Sequence, residues 1–354
     1  MNINEAAKQL NITARAIRFY EQKGLVSPHK HPDNQYRQFT EQDIERLRTI
    51  AALREIGVGL EGIKSILLQM EQGNQTELQY YLETQRNAMF SQWIELRQLI
   101  AAADTMIERL KRQDRLHPDE IHKLAAGLRG LKEARGNWKD QWGFDEMAPD
   151  YDDLVLNEKQ IEHTRFNPHE DYDQVLDLVV EWVAPSPGDA GLDLGIGTGN
   201  LAGRFLRKNI TMMGLDQSRE MLKQCRRKYP DLETKLGNLL AVPFFDGQFD
   251  FVVSSYALHH LTAEQKRLAL GEMSRVLKPK GKICIADLMF ENEQARTGYM
   301  DRLREAGHWE AVDSIESEYY ADRSQLIRWL REYGFATVQH RVNDLMHLVY
   351  GERN

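Results

Sequence analysis

Residues 190–200 read AGLDLGIGTGN, an apolar segment that runs directly into a glycine-rich turn. Glycines at positions 195, 197 and 199 let the backbone of this turn approach a ligand closely. Around it, short apolar segments alternate with helical ones and predict strands at 190–194, 211–215, 249–254 and 282–288. This alternation is typical of a doubly wound, Rossmann-like α/β sheet.

The aspartate at the end of the second predicted strand indicates which class of ligand the turn binds. Asp216 lies 23 residues after Asp193, the spacing at which a carboxylate accepts hydrogen bonds from ribose hydroxyls. Asp216 is also suited to capping the helix that follows. Dinucleotide sites space their glycines as G-x-G-x-x-G, whereas this turn reads D-x-G-x-G-x-G and resembles class I methyltransferases that bind S-adenosylmethionine.

The resemblance spans about residues 140–350 and includes Gly237-Asn238-Leu239, Ala257-Leu258-His259-His260-Leu261 and Leu277-Lys278-Pro279-Lys280-Gly281. It implies that Asp193 and the glycine turn hold the methionine end of S-adenosylmethionine or S-adenosylhomocysteine, and that Asp216 holds the ribose. Asn238 stands where the family usually has aspartate, and we expect its amide oxygen to accept from the adenine amine. The predicted cofactor-binding residues are Tyr151, Asp193, Gly195, Gly197, Gly199, Asp216, Gln217, Met221, Asn238, Leu239 and Ser254.

Upstream of the turn, a segment containing Trp142, Phe144 and Tyr151 resembles the lid of these enzymes, where the tyrosine reaches the cofactor. Trp142 and Phe144 are equally consistent with core aromatics. His259 and His260 follow the predicted strand at 249–254, at the carboxyl edge of the sheet, and are the candidate bases. One of them also fits a helix start. The candidate substrate-binding residues are His163, Tyr172, Tyr256, His308 and Tyr319.

The sequence lacks the signatures of enzymes that methylate DNA. It contains no Asn/Asp-Pro-Pro-aromatic motif, and no proline precedes Cys225 or Cys284. A small-molecule acceptor is therefore the predicted substrate class.

The first 74 residues have a different character. Two short amphipathic helices are predicted at 4–9 and 13–23, separated by a turn in which Asn11 suits left-handed backbone geometry and Thr13 can cap the second helix. Residues 8–54 hold nine basic against five acidic side chains, although the whole chain has a net charge of −8. A helix-turn-helix that faces phosphate fits this pattern.

Three blocks in order, ITARAIRFYEQKGLVSP, NQYRQFTEQDIERLRTI and LREIGVGLEGIKSIL, resemble the winged helix-turn-helix of MerR-family transcriptional regulators. The resemblance implies binding to double-stranded promoter DNA, with a recognition helix in the major groove and a wing on the backbone. Any one of these arginines alone would also fit a solvated surface charge, and Tyr20 would also fit the core. The implied DNA-binding residues are Thr13, Arg15, Arg18, Tyr20, Tyr36 and Arg37.

A recurring apolar stripe predicts one long helix over residues 75–112. In the MerR family this helix pairs with its copy, which implies a homodimer and a palindromic operator; alternatively, the stripe packs on the chain's own second domain. The predicted organisation is an all-α winged helix-turn-helix at 1–74, a dimerisation helix at 75–112, a helical connector at 113–139 and an α/β methyltransferase domain at 140–354.

Composition limits the remaining possibilities. No apolar run has the length of a membrane span and the N-terminus lacks a secretory signal, so a cytoplasmic protein without membrane contact is predicted. Two isolated cysteines predict neither a disulfide framework nor a structural zinc site, and no metal effector is expected.

Four functional hypotheses follow. The favoured one is a dimeric DNA-binding regulator whose methyltransferase domain binds S-adenosylmethionine and acts on or senses a small molecule. The alternatives are an active small-molecule methyltransferase that controls its own gene, a non-catalytic S-adenosylmethionine sensor, and an enzyme whose helix-turn-helix only dimerises.

Overall fold

The computed structural model describes residues 1–31, 36–112, 117–158 and 166–353, with the side chains of 156–158 left out. The chain divides into two compact units, Met1–Gln85 and Arg86–Asn354. The division falls inside the long helix rather than at its start.

The first unit is built from short helices and a two-stranded antiparallel ribbon. Asn11 ends the first helix in the left-handed region at φ 53°, and the Thr13 hydroxyl accepts from the Ala16 amide at the start of the second, as the sequence predicts. The ribbon lies where the wing is predicted, although residues 32–35 are outside the described ranges. The elements are α1 Ile3–Leu10, α2 Ala14–Gln22, β1 His29–Lys30, β2 Arg37–Gln38, α3 Glu41–Glu55 and α4 Leu60–Glu71.

These helices enclose a small apolar core. Ile17 on α2 and Leu47 on α3 are fully buried, and Ile63 from α4 completes the contact. Tyr20 belongs to this core with 8% of its surface exposed, so the structure favours the core alternative for this residue over a DNA contact.

A single helix, α5, spans Gln75–Lys111, the range for which the sequence predicts a long helix. A second helix, α6, runs from Pro118 to Gly136. Within the second unit, Arg135 of α6 donates to the Leu240 carbonyl oxygen, so α6 packs on the α/β domain and is not a free linker.

The part of α5 that belongs to the second unit also packs on the α/β domain of that unit. The ring centroids of Phe90 and Trp93 lie 5.4 and 6.0 Å from that of Phe245, and Arg97 pairs with Asp246. The alternative that the stripe contacts the chain's own second domain therefore holds for this face of the helix.

The second unit is a three-layer α/β domain around a twisted sheet. Among the described residues the sheet has eight strands, in the order β5-β4-β3-β6-β7-β10-β9 with β8 paired to β7. The strands from β5 to β7 are mutually parallel, and β10 runs antiparallel between β7 and β9. The strands are β3 Ala190–Leu194, β4 Thr211–Asp216, β5 Glu233–Leu236, β6 Phe249–Ser255, β7 Leu277–Phe290, β8 Ala321–Asp322, β9 Phe335–Arg341 and β10 Met346–Arg353.

Helices cover both faces of this sheet, and their apolar sides form its core. Leu176 and Val179 of the helix before β3 are fully buried, as are Leu270 and Met273 of the helix before β7. The helices are α7 Phe144–Met147, α8 Tyr151–Glu158, α9 Tyr172–Val183, α10 Ala202–Leu206, α11 Arg219–Lys228, α12 Ala263–Val276, α13 Glu293–Glu305, α14 Trp309–Glu316 and α15 Arg323–Glu332. No helix in the described ranges combines the length and the apolar character that crossing a bilayer requires.

The fold confirms the predicted Rossmann-like arrangement and corrects the bounds of one strand. The predicted strands at 190–194, 211–215, 249–254 and 282–288 are present, but the last begins five residues earlier and ends two residues later. The carboxyl ends of β3, β4, β6 and β7 meet at one edge of the sheet, where ligands of such folds bind.

Candidate functional site

The glycine-rich turn is held over the end of β4 by hydrogen bonds. The amide of Gly195 donates to the Leu215 carbonyl oxygen at 2.8 Å, and the amide of Gly197 donates to Asp216 Oδ2 at 2.8 Å. Asp216 Oδ1 accepts from the Ser218 amide. Ser218, not Asp216, caps α11, because its hydroxyl accepts from the Met221 amide. Asp216 therefore shapes the turn, and the helix-cap alternative does not hold.

Asp193 is a buried carboxylate without a cationic partner among the described residues. Only 1% of its surface is exposed, and among the described residues no side chain donates to either carboxylate oxygen, although the nearby Ala202 amide offsets part of the cost of burial. Burial, reinforced by nearby Asp216, raises the pKa of the Asp193 carboxyl to about 8. Burial likewise raises the pKa of Asp216 to about 6. An unpartnered buried carboxylate is costly, and a cationic ligand group would relieve that cost.

A cavity of about 300 Å³ opens at this edge of the sheet. Its wall combines the turn, the ends of β4 and β6, and the segment before α8. It brings together most of the predicted site residues. Those that line it are Tyr151, Tyr172, Gly195, Gly197, Asp216, Gln217, Met221, Asn238, Leu239, Tyr256, His259 and His260.

Other predicted site residues lie outside the cavity wall. Ser254 is fully buried and donates to the Leu194 carbonyl oxygen of the neighbouring strand β3. A Cβ on Gly199 would lie 2.8 Å from Cys225 Sγ, so that glycine faces α11. Asp193 sits beneath the turn and does not line the wall.

Two predicted substrate-binding residues in the segment between β7 and β8 also lie outside the cavity wall. His308 is exposed at the start of α14, and Tyr319 is 44% exposed and borders a neighbouring cavity. His163 lies outside the described residues.

Asn238 uses its amide oxygen within the protein. Oδ1 accepts from the amides of Leu240 and Ala241 at 3.0 and 3.2 Å. The expectation that this oxygen accepts from an adenine amine is therefore corrected: the two N–H groups occupy it, and Nδ2 is the group left for a ligand.

The segment containing Trp142 and Tyr151 is tied to the glycine-rich turn by carboxylates. Asp152 accepts from the Thr198 hydroxyl at 2.6 Å and from Asn200 Nδ2 at 2.9 Å, and it pairs with Lys228. Asp145 accepts from the Ser218 hydroxyl at 2.6 Å. These contacts hold the lid segment, residues 142–152, over the cavity.

His259 is oriented by a buried carboxylate. Asp287 Oδ1 lies 2.6 Å from His259 Nδ1, and Asp287 also accepts from the amides of Ala257, Leu258 and Leu288. Burial alone would raise the pKa of Asp287, but His259 and the amides hold it below its usual value. Asp287 therefore fixes the orientation of the His259 ring from its Nδ1 side, and Nε2 is the nitrogen remote from this carboxylate.

His260 lies beside this pair, among aromatic rings. Its ring centroid is 3.9 Å from that of His259 and 4.4 Å from that of Trp142, and its Nδ1 is 3.0 Å from Glu318 Oε2. Burial and the neighbouring His259 lower the pKa of His260 to about 4. At neutral pH the imidazole is therefore uncharged.

The opposite wall contains stacked aromatic residues and a strained backbone. Tyr256 adopts φ 50°, a left-handed conformation that costs a non-glycine residue about 1–2 kcal/mol. Its ring lies 5.0 Å from Tyr172 and 5.2 Å from His169, and its buried hydroxyl has no partner among the described residues. A strained, unpartnered tyrosine in a cavity wall is a candidate contact for a substrate.

In the first unit, α2 and the ribbon present a mixed polar surface. Arg15 and Arg18 are exposed on α2, and Tyr36 before β2 is 72% exposed. Arg37 pairs with Glu21, so part of its guanidinium is already engaged by a carboxylate of the same unit. Thr13 uses its hydroxyl oxygen as a helix cap.

Several residues in the cavity wall, and Asp287 behind it, were not predicted from the sequence. Asp287 was signalled only by a lone carboxylate within the apolar run KICIADLMF. Glu318 lies 58 residues from His260, and nothing in the local sequence connects the two. The remaining unpredicted members include Trp138, His169, Thr198, Asn200, Ser255, Ser314 and Tyr320.

This fold and glycine-turn site define a class I, Rossmann-like methyltransferase domain. Residues 192–281 match the family described as a methyltransferase domain, and residues 1–70 match the MerR helix-turn-helix family of regulatory proteins. A protein named as an uncharacterized methyltransferase in Oceanobacillus iheyensis is 31% identical over 210 residues, which cover 59% of this chain and 95% of that protein.

A similarly named protein of Bacillus pumilus is 32% identical over 214 residues, covering 59% of this chain and 95% of its own length. Among solved structures, magnesium protoporphyrin IX methyltransferase from Synechocystis, with bound S-adenosylhomocysteine, aligns with a TM-score of 0.47 and 16% identity, covering 59% and 97% of the two chains. The chain belongs to the methyltransferase family of these relatives and carries a MerR-type helix-turn-helix domain at its N-terminus.

Proposed function

We propose that this protein is a dimeric transcriptional regulator in which a MerR-type head binds promoter DNA and a methyltransferase domain binds S-adenosylmethionine. The second domain acts on or senses a small molecule. The observation that carries the proposal is a cavity lined by the glycine turn and by Asp216, to which the Gly197 amide donates, with the buried Asp193 carboxylate behind it, in a chain that also bears a helix-turn-helix.

The cofactor proposal rests on how well the site fits an adenosyl donor. Asp193 would hold the methionine ammonium, and Asp216 at the end of β4 would accept from the ribose hydroxyls. At Gly197 an added Cβ would meet nothing within 4 Å, which leaves the wall of the cavity open at the turn. When bound, S-adenosylmethionine would supply an electrophilic methyl group.

DNA binding is supported by the exposed cations of α2. Arg15 and Arg18 lie on the helix that enters the major groove in the family, and each guanidinium suits phosphate or guanine edges. Tyr36 and Arg37 of the ribbon would contact the DNA backbone. Thr13 acts mainly by fixing the start of α2.

Dimerisation is supported by the uncovered apolar residues of α5. Leu96, Ile100 and Leu110 are 57%, 59% and 55% exposed, and Leu82, Met89, Leu96 and Leu110 fall in one seven-residue register. A regular heptad of exposed apolar residues is what a coiled coil with a second copy buries. Two copies would present two heads to a palindromic operator.

An active methyltransferase is the second candidate function, because the cavity extends beyond the residues proposed for the cofactor. His259, oriented by Asp287, would accept a proton from a methyl acceptor at Nε2, and Tyr256 would donate to the acceptor. Methyl transfer needs the acceptor held in line, which the lid segment favours. Sustained turnover with candidate small molecules supports this function, whereas binding without turnover supports the sensor.

Binding of the cofactor should release a proton from the protein. At pH 7 the Asp193 carboxyl, with its pKa near 8, is mostly protonated, and a bound ammonium would lower that pKa. We expect about one proton released per chain on binding S-adenosylhomocysteine, by the difference in protonation between the two states. Calorimetric enthalpies in buffers of different ionisation enthalpy measure it.

The control for this measurement is Asp193→Asn, which cannot release the proton. A wild-type enthalpy that is independent of the buffer would contradict the assignment of Asp193 to the cofactor ammonium.

DNA binding is tested by Arg18→Ala in the full-length protein. Removing one phosphate or base contact should weaken binding to the gene's own promoter about 5- to 100-fold, the range for about 1–3 kcal/mol. The affinity for S-adenosylhomocysteine should not change, because Arg18 and the cavity lie in different compact units. Footprinting in a salt series measures the effect, and a wild-type protein without a salt-sensitive footprint defeats the regulator proposal.

A further inference from the structure

We propose that His259, His260 and Glu318 form a binding site for a divalent transition-metal ion of the zinc class in the wall of the cavity. The three residues each offer a ligand atom, and these atoms all lie within 4.8 Å of one another. All three line the same cavity. Two imidazoles and one carboxylate are a ligand set suited to zinc, iron or cobalt.

The spacing of the ligands is close to what an ion requires. Bonds of about 2.0–2.2 Å in a tetrahedral site place neighbouring ligand atoms about 3.4 Å apart. His260 Nδ1 and Glu318 Oε2 are already 3.0 Å apart. Small rotations of the His260 and Glu318 side chains, rather than of the fixed His259 ring, would close the remaining gap.

Asp287 orients His259 as a ligand. It holds the Nδ1 side of the ring at 2.6 Å, so Nε2 is the nitrogen left for an ion. The same carboxylate is fixed by three backbone amides, so the ring has little freedom to turn. Metal-binding histidines are generally oriented in this way, by a carboxylate on the nitrogen remote from the ion.

Glu318 is held against the histidine pair by its own backbone. The Tyr319 amide donates to the His259 carbonyl oxygen at 2.8 Å. Buried Lys266 donates to the carbonyl oxygens of both Leu261 and Tyr319. It therefore links the segment that carries the two histidines to the segment that carries Glu318. The cluster is therefore assembled by fixed contacts between segments that are distant in sequence.

Three protein ligands leave a coordination position for another molecule, as in catalytic zinc sites. Because the ligands line the cavity, that position would be available to a small molecule that carries an oxygen, nitrogen or sulfur donor. This part of the inference rests on the proposed function: the metal would bind and orient the methyl acceptor beside the cofactor site. The metal site itself does not depend on it, and with the ion bound His259 is a ligand and does not act as the base.

The test uses untagged full-length protein stripped with a chelator and titrated with Co²⁺. We expect visible d–d absorption that saturates near one equivalent and is displaced by Zn²⁺. Glu318→Gln and His260→Ala should each weaken Co²⁺ binding at least tenfold, and the double variant should abolish the absorption. His122→Ala, which removes an exposed histidine on α6, is the matched control and should leave the titration unchanged.

Binding of S-adenosylhomocysteine to each variant is measured in parallel. Retained binding shows that the variants are folded and separates failure of the metal site from failure of the cofactor site. A wild-type protein that takes up no more Co²⁺ than the double variant would overturn the proposal. In that case His260 and Glu318 form only a hydrogen-bonded pair.

Discussion

Asp216→Ala is expected to weaken binding of S-adenosylhomocysteine to the full-length protein at least tenfold. The change removes the proposed acceptor for the ribose hydroxyls. It also removes the carboxylate that holds the Gly197 and Ser218 amides, so the turn loses two charge-assisted hydrogen bonds. Hydrogen bonds to a charged group contribute about 1.5–3 kcal/mol each, which is enough to account for a tenfold loss or more.

Isothermal titration calorimetry measures this affinity directly. Asp231→Ala, which removes an exposed carboxylate in the same domain, is the matched control and should bind as the wild type does. Circular dichroism establishes that both variants fold. Unchanged affinity in folded Asp216→Ala would contradict the ribose assignment and, with it, the role given to the end of β4.

Leu96→Glu combined with Ile107→Glu is expected to convert the protein to monomers and to lower its affinity for a palindromic promoter duplex at least a hundredfold. Both side chains are exposed, at 57% and 47%, so the charges should not disturb the folding of a single chain. They would disrupt the heptad surface that a second copy buries. Without the dimer, the second head no longer binds intramolecularly, which commonly costs a factor of about 10²–10⁴.

Sedimentation gives the oligomeric state and fluorescence anisotropy gives the DNA affinity. Ala101→Glu adds a charge to an exposed position on the opposite side of α5 and should remain dimeric. The affinity for S-adenosylhomocysteine serves as the folding control for every variant. A double variant that remains dimeric would place the interface elsewhere.

The parts of the fold that follow from local sequence could be predicted well. Strands β3, β4 and β6 are short apolar runs bounded by turn residues, and Asn11 and Thr13 act through the backbone of their own neighbourhood. Strands β5, β9 and β10 were not predicted. Along β9 most positions are exposed, as expected of an edge strand, so its sequence lacks the apolar run that marks a central one.

The site could be predicted where the motif and the fold coincide, and not where side-chain direction or tertiary contact decides. Ser254 and Tyr256 lie two positions apart, yet Ser254 bonds within the sheet while Tyr256, in a left-handed turn, lines the cavity. The metal proposal likewise depends on Glu318, which only tertiary packing brings to His260. A search based on cysteine spacing could not reveal that set.

The central claim is that one polypeptide binds both a promoter duplex and an adenosyl methyl donor. Its most direct test is sedimentation of the full-length protein with a fluorescent promoter duplex and radiolabelled S-adenosylmethionine. We predict that both labels move together with the protein, at two donor molecules and one duplex per two chains. Protein that carries only one of the two labels, at concentrations that saturate the other, would contradict the claim.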